Sequence, residues 1–93
     1  MNKERRLLIQ NFFEDWAQES MLSIIELPPS GSDRQYYRVK GKQRTALAVY
    51  NPWSQENQTF VDYSRHFKAK GLSVPDIYHF DEQHHIYLLK SYS

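Results

Sequence analysis

The chain has 93 residues, enough for one domain, and a domain this small buries only ~60–65% of the surface its unfolded chain exposes. Twelve Lys and Arg against eleven Asp and Glu give +1, too even a balance for a dedicated electrostatic nucleic-acid binder, and the lack of cysteine excludes disulfides and thiolate zinc sites. No apolar run approaches the ~18 residues of a membrane span and no secretory leader is visible, so a single globular domain in the cytoplasm is expected.

Residues 3–19 carry apolar side chains at Leu8, Ile9, Phe12, Phe13, Trp16 and Ala17. A doublet stepping every four residues marks an amphipathic helix, with Glu4, Arg5, Glu14 and Gln18 on its outer face. Residues 21–27 hold Leu22, Ile24 and Ile25 among polar neighbours and read as a strand that Pro28 and Pro29 stop. Ser30-Gly31-Ser32-Asp33 is turn chemistry throughout. Residues 35–40 follow as a strand, with Tyr37 and Val39 on one face and Tyr36 and Arg38 on the other. Gly41-Lys42 stands where a tight hairpin turn is needed, and residues 45–50 make the return strand.

Asn51-Pro52 is expected to open a second helix, Asn as its cap and Pro in its first position. Phe60, Tyr63 and Phe67 then share a face, joined by Trp53, and Gly71 is a ready left-handed terminator. Val74-Pro75 forces an extended exit. Two last strands, residues 76–80 and 85–89, flank the polar turn Asp81-Glu82-Gln83-His84. The expected order is α-β-β-β-α-β-β: an α+β domain with a five-stranded antiparallel sheet, an N-terminal helix, and one helix between the third and fourth strands.

That layout is similar to a protein-kinase-like small lobe. The segment Pro29-Ser30-Gly31-Ser32-Asp33-Arg34-Gln35-Tyr36-Tyr37-Arg38-Val39 resembles the phosphate-loop region of bacterial phosphotransferases related to aminoglycoside and choline kinases. So do Glu56-Asn57 followed by Phe60, Arg65-His66-Phe67, and Gly71-Leu72-Ser73-Val74-Pro75-Asp76-Ile77-Tyr78. The resemblance runs from about Leu7 to Leu89 and is nearest the branch of sugar kinases that act in cell-wall recycling. It implies an ATP-binding lobe, with Mg²⁺ in the complete enzyme, acting on a small-molecule hydroxyl. The residues it implicates in nucleotide binding are Ser30, Gly31, Ser32, Arg34, Glu56, Lys90 and Tyr92.

The phosphate chemistry agrees in part. A loop with small side chains lets backbone N–H groups approach a triphosphate, and Ser30, Gly31 and Ser32 meet that need. Judged without the resemblance, the same residues read more simply as an exposed hairpin loop, and Glu56 as an ordinary first-turn acid favoured by the helix dipole. Gly41-Lys42-Gln43 is not a Walker loop. The third strand, Ala46-Leu47-Ala48-Val49-Tyr50, lacks the Lys with which kinases bridge the phosphates, leaving Arg34, Arg38 or Arg44 as substitutes. The acidic pair usual near Lys90 and Ser91 in related enzymes is missing as well. In such folds adenine bonds to the backbone just after the fifth strand, here Lys90-Ser91-Tyr92-Ser93.

Nothing in these residues resembles a catalytic loop with its Asp base or a metal-binding Asp segment, both of which belong to a following large lobe. The isolated chain is therefore expected to be inactive, and to rest its exposed face on the missing C-terminal lobe or on a second copy of itself. Two further readings remain: a non-catalytic module that engages a protein partner, and a single-stranded nucleic-acid binder. The latter would need Tyr36, Arg38, Lys40 and Tyr50 on one open face, and the near-zero charge weighs against it. His66, His79, His84 and His85 are read as solvated side chains rather than metal ligands, since neighbours on a turn point apart.

Overall fold

The computed structural model describes residues 2–28 and 33–90. Helix α1 (Lys3–Ala17) starts at Asn2, whose side-chain oxygen accepts the Arg5 N–H at 2.6 Å. It stops at Gln18, which turns left-handed (φ 56°). Strands β1 (Met21–Glu26), β2 (Gln35–Gly41) and β3 (Thr45–Tyr50) form a meander. Helix α2 (Ser54–Ala69) follows, then the hairpin of β4 (Ile77–Asp81) and β5 (Ile86–Lys90). The sheet order is β1-β2-β3-β5-β4, every neighbouring pair antiparallel. The α+β class and the order of elements are as expected, and no helix among the described residues is long and apolar enough to cross a membrane.

The two sheet faces differ in how they are covered. On one face Tyr37, Val39, Ala46, Ala48, Ile86 and Leu88 meet Ile9, Phe12, Phe13 and Ala17 of α1 in a single buried cluster. The register sets Tyr37 opposite Ala48 and Val39 opposite Ala46, so small residues on the central strand leave room for the phenylalanines above them. Each fully buried large side chain here contributes about 1.5–3 kcal/mol relative to exposure, which makes this face the main source of stability. The second face is covered less completely. Val49 and Tyr87 are buried there, with Phe60 of α2 against the Tyr87 ring at 5.3 Å.

Several boundaries and orientations depart from the sequence expectations. Helix α2 begins at Ser54 rather than at Asn51-Pro52, because Asn51 is fully buried and engaged elsewhere. Its side-chain oxygen accepts the Trp53 N–H (3.2 Å), and its carbonyl accepts Nδ2 of Asn57 (2.8 Å). The buried residues of α2 are Asn57, Val61 and Ser64, while Tyr63 and Trp53 stay more than half exposed. An inner stripe that includes two small or polar residues lets the helix lie close, and the aromatics fall to its flank. Strands β4 and β5 each start one residue later than expected. Asp76 is paired with Lys68 instead, and His85 (φ 62°) closes the turn before β5.

The C-terminus of α2 behaves as predicted. Gly71 takes φ 81°, its N–H reaches the Lys68 carbonyl at 3.0 Å, and the Leu72 N–H reaches the Phe67 carbonyl at 3.0 Å. That pair of bonds is a Schellman cap.

Candidate functional site

Of the residues that the resemblance implicates, Arg34 and Glu56 sit at the edge of the less covered face. Gln35 and Arg34 are adjacent, and strand alternation sends them to opposite faces. Gln35 turns toward α1, where its side-chain oxygen accepts from Arg5 Nη1 (2.6 Å) and the Tyr37 hydroxyl (2.7 Å). Arg34 turns toward α2, where Nη2 stands 3.6 Å from Glu56 Oε1. Glu56 lies in the first turn of α2, and Asn51 Nδ2 also donates to its Oε1 at 3.5 Å. Neighbouring Asp33 accepts the Trp53 indole N–H at 2.7 Å, a second tie between the loop base and the start of α2.

Behind this pair is Tyr87, which sequence reasoning did not single out. It is 2% exposed and lies opposite Val49 and Phe80 in the sheet. Burial pushes its hydroxyl up to about 12, only partly opposed by the Arg34 charge, so the phenol stays neutral. The available signal was the alternation of the last strand: with Ile86 and Leu88 directed to the core, Tyr87 belongs to the other face, and a buried Tyr hydroxyl needs a partner. An open groove of about 320 Å³ runs beside the pair, lined by Arg34, Gln55, Glu56, Thr59, Phe60 and Tyr63.

The three arginines proposed as substitutes for a strand lysine separate clearly. Arg34 stands beside Glu56. Arg38 is half-buried in mid-sheet between its strand neighbours Ile25 and Leu47, with Nε buried and unpartnered among the described residues. Arg44 lies at the β2–β3 turn, its guanidinium over the Trp16 ring at 5.3 Å on the α1 side, away from Glu56. There its backbone N–H is bound by the Glu19 carboxylate at 2.8 Å.

Lys90 ends β5 opposite Ala46, its N–H on the Asp76 carbonyl at 3.0 Å. The strand from Ile86 to Lys90 spans about 13 Å at ~3.3 Å per residue. Lys90 and Arg34 thus mark opposite ends of the sheet. Ser30, Gly31, Ser32 and Tyr92 lie outside the described residues.

The open-face platform imagined for single strands is not assembled. Tyr50 pairs with Gln35 and Ile86, which puts it on the α1 face, with the Arg5 guanidinium 3.9 Å from its ring centre. Tyr36, Arg38 and Lys40 remain on the other face, but without it.

The histidines have separate partners. His84 Nδ1 is 2.6 Å from Asp81, His85 bonds Ser54 Oγ at 3.1 Å, and His79 stacks on Phe12 at 4.5 Å near Asp15. His66 lies edge-on to Phe67. No group of three metal-ligating side chains is found among the described residues. A groove of about 540 Å³ between α1 and the β4–β5 turn includes His79 and His84, but none of the residues implicated by the loop.

Compared with protein-family models, with curated proteins and with solved structures, the chain matches none.

Proposed function

We propose that this chain is the nucleotide-binding small lobe of an ATP-dependent phosphotransferase acting on a small-molecule hydroxyl such as that of a sugar or an aminoglycoside. The observation that carries the reading is the conjunction of a Ser30-Gly31-Ser32 loop sequence with the Arg34–Glu56 pair that follows it. The layout supports it: a three-strand meander, a helix whose first turn supplies a carboxylate, and a hairpin that puts β5 beside β3. A triphosphate at the Arg34 end and a base at the Lys90 end would lie along one sheet face. In this reading ATP supplies the phosphoryl group, Arg34 and the loop amides bind its phosphates, and the base rests against backbone near Lys90 and Tyr92. In this reading the nucleophile-orienting Asp and the Mg²⁺ ligands belong to a separate catalytic lobe.

Titrating ATP into the isotopically labelled 93-residue chain tests the proposal. Amides from Ser30 to Arg34 should shift first, with a Kd no tighter than roughly millimolar, about −4 kcal/mol, because half the cleft is absent. Gly31→Val should abolish the response by blocking the backbone approach. Shifts confined to scattered surface Lys and Arg, with Gly31→Val silent, would reduce the loop to an ordinary hairpin. No phosphotransfer to sugars or aminoglycosides is expected from the 93 residues alone.

A non-catalytic interaction module is favoured by one observation, the exposure of Leu22, Ile25, Trp53 and Tyr63. Salt-insensitive capture of a protein partner without any ATP response would select it.

A further inference from the structure

The sheet divides its charges unevenly between its two faces. Strands β1 to β5 hold two acids, Glu26 and Asp81, and the register sets them opposite Tyr37 and Ile86, on the α1 face. The other face receives the cations Arg38 and Lys40 from β2 and no carboxylate from any of the five strands. Helix α2 leans toward the β4–β5 side, with Phe60 on Tyr87, so the β1–β2 side of this face stays open.

Arg38 lies in a row with Ile25 on one side and Leu47 on the other. Ile25 is 51% exposed and Leu47 is half-buried, so the row is both apolar and reachable. Between them Arg38 Nε is buried with no acceptor, and no carboxylate pairs with the guanidinium among the described residues. A buried donor without an acceptor is a cost to the free chain. Lys40, two residues along the same strand face, adds repulsion instead of relieving it. A residue that breaks the rules of a stable fold in this way marks a place that something outside the chain completes.

The surroundings define what completes it. An Arg among aliphatic side chains, with Tyr36 next to it on this face of β2, has the composition of a protein interface core. Ile25 and Leu47 offer no ring on which a base could stack, which disfavours a nucleic-acid strand. The grooves beside α1 and α2 are lined by other side chains, which argues against an enclosed small molecule.

We propose that the Arg38 row is the docking surface for a protein segment that presents a single carboxylate between apolar side chains. The carboxylate accepts from the Arg38 guanidinium, and its apolar neighbours cover Ile25 and Leu47. The claim is independent of the nucleotide reading, since neither Arg34 nor Glu56 takes part in it.

The test titrates a blocked pentapeptide, Ser-Leu-Glu-Leu-Ser, into the isotopically labelled 93-residue chain. Amides of Ile25, Arg38 and Leu47 should shift, and the peptide with Gln at its centre should bind about tenfold more weakly, the usual loss for a hydrogen bond between charged groups. Arg38→Glu should lose the Glu peptide and accept its Lys counterpart. Arg38→Met separates binding from folding. It should bind the Glu peptide about tenfold more weakly, yet unfold at the same temperature as the parent chain or higher, because an unpaired cation has been removed.

A lower thermal midpoint for Arg38→Met would show that the guanidinium is satisfied within the fold, and the proposal would fall. Equal binding of the Glu and Gln peptides, or no shift with either, would overturn it as well. Oligothymidylate bound in preference to the Glu peptide, and lost in Arg38→Met, would assign the row to nucleic acid instead.

Discussion

Asn51 shows how one residue can redirect a helix start. Its amide and its carbonyl are both committed, to Trp53 and to Asn57, in a fully buried position at the end of β3. Asn51→Ala removes the side-chain acceptor and leaves the Trp53 N–H without it. A loss of about 1–2 kcal/mol is expected in urea unfolding, the cost of one buried hydrogen bond. Tyr87 makes a pH prediction at the same scale. Its folded-state pKa, about 12, lies above the ordinary value near ~10. Below ~10 the phenol is protonated in both states and its contribution is fully present. Between ~10 and about 12 the unfolded chain gives up this proton first, so stability falls as pH rises. The thermal midpoint should therefore drop across that window, and Tyr87→Phe should show a shallower alkaline decline. Equal slopes in the two proteins would show that the hydroxyl is not held neutral by the fold.

At the level of elements, α1 and α2 are secured differently. Helix α1 lies on the buried cluster through Ile9, Phe12, Phe13 and Ala17, so its stability comes from apolar packing. Helix α2 depends more on its ends: the Asn51–Asn57 bond and the Ser54–His85 bond at its start, the Lys68–Asp76 pair and the Schellman cap at its finish. Its interior buries Ser64 Oγ and Asn57 Oδ1 without hydrogen-bond partners among the described residues, a cost rather than a gain. The cap is therefore worth testing. Gly71 has φ 81° and nothing within 4 Å of an added Cβ, so Gly71→Ala should act through backbone strain alone. About 1 kcal/mol of destabilisation is expected by chemical denaturation, with Gly71→Asn recovering part of it. A neutral Gly71→Ala would mean that the end of α2 frays in solution.

For the whole molecule, the uneven covering of the two faces governs behaviour. Strand β1 is an edge of the sheet, and it exposes Leu22 (69%) and Ile25 (51%). Unpaired edges carrying apolar side chains are templates for pairing with another chain. We expect the 93-residue chain to self-associate as concentration rises, seen as increasing weight-average mass in sedimentation equilibrium. Ile25→Lys, a charge on the exposed edge, should shift it toward monomer without lowering the thermal midpoint. A chain that stays monomeric and thermally robust at high concentration would argue that this edge needs no cover.

The sequence by itself determined the element order, the antiparallel sheet, the buried face of α1 and the Gly71 cap. These depend on local periodicity and backbone preference: the Leu8-to-Ala17 doublets, the alternation of Tyr37 and Val39, and a glycine where φ must be positive. It also marked Arg34 and Glu56 through their motif, twenty-two positions apart in the chain. Only the tertiary structure decided that these two stand side by side, that Arg44 does not join them, and that Tyr50 turns away from the open face. Those outcomes follow from strand register and from where α2 crosses the sheet, which depend on many residues at once. Asn51 became visible for the same reason: a buried polar group acquires its meaning from its partner, and here that partner, Asn57, is supplied by α2.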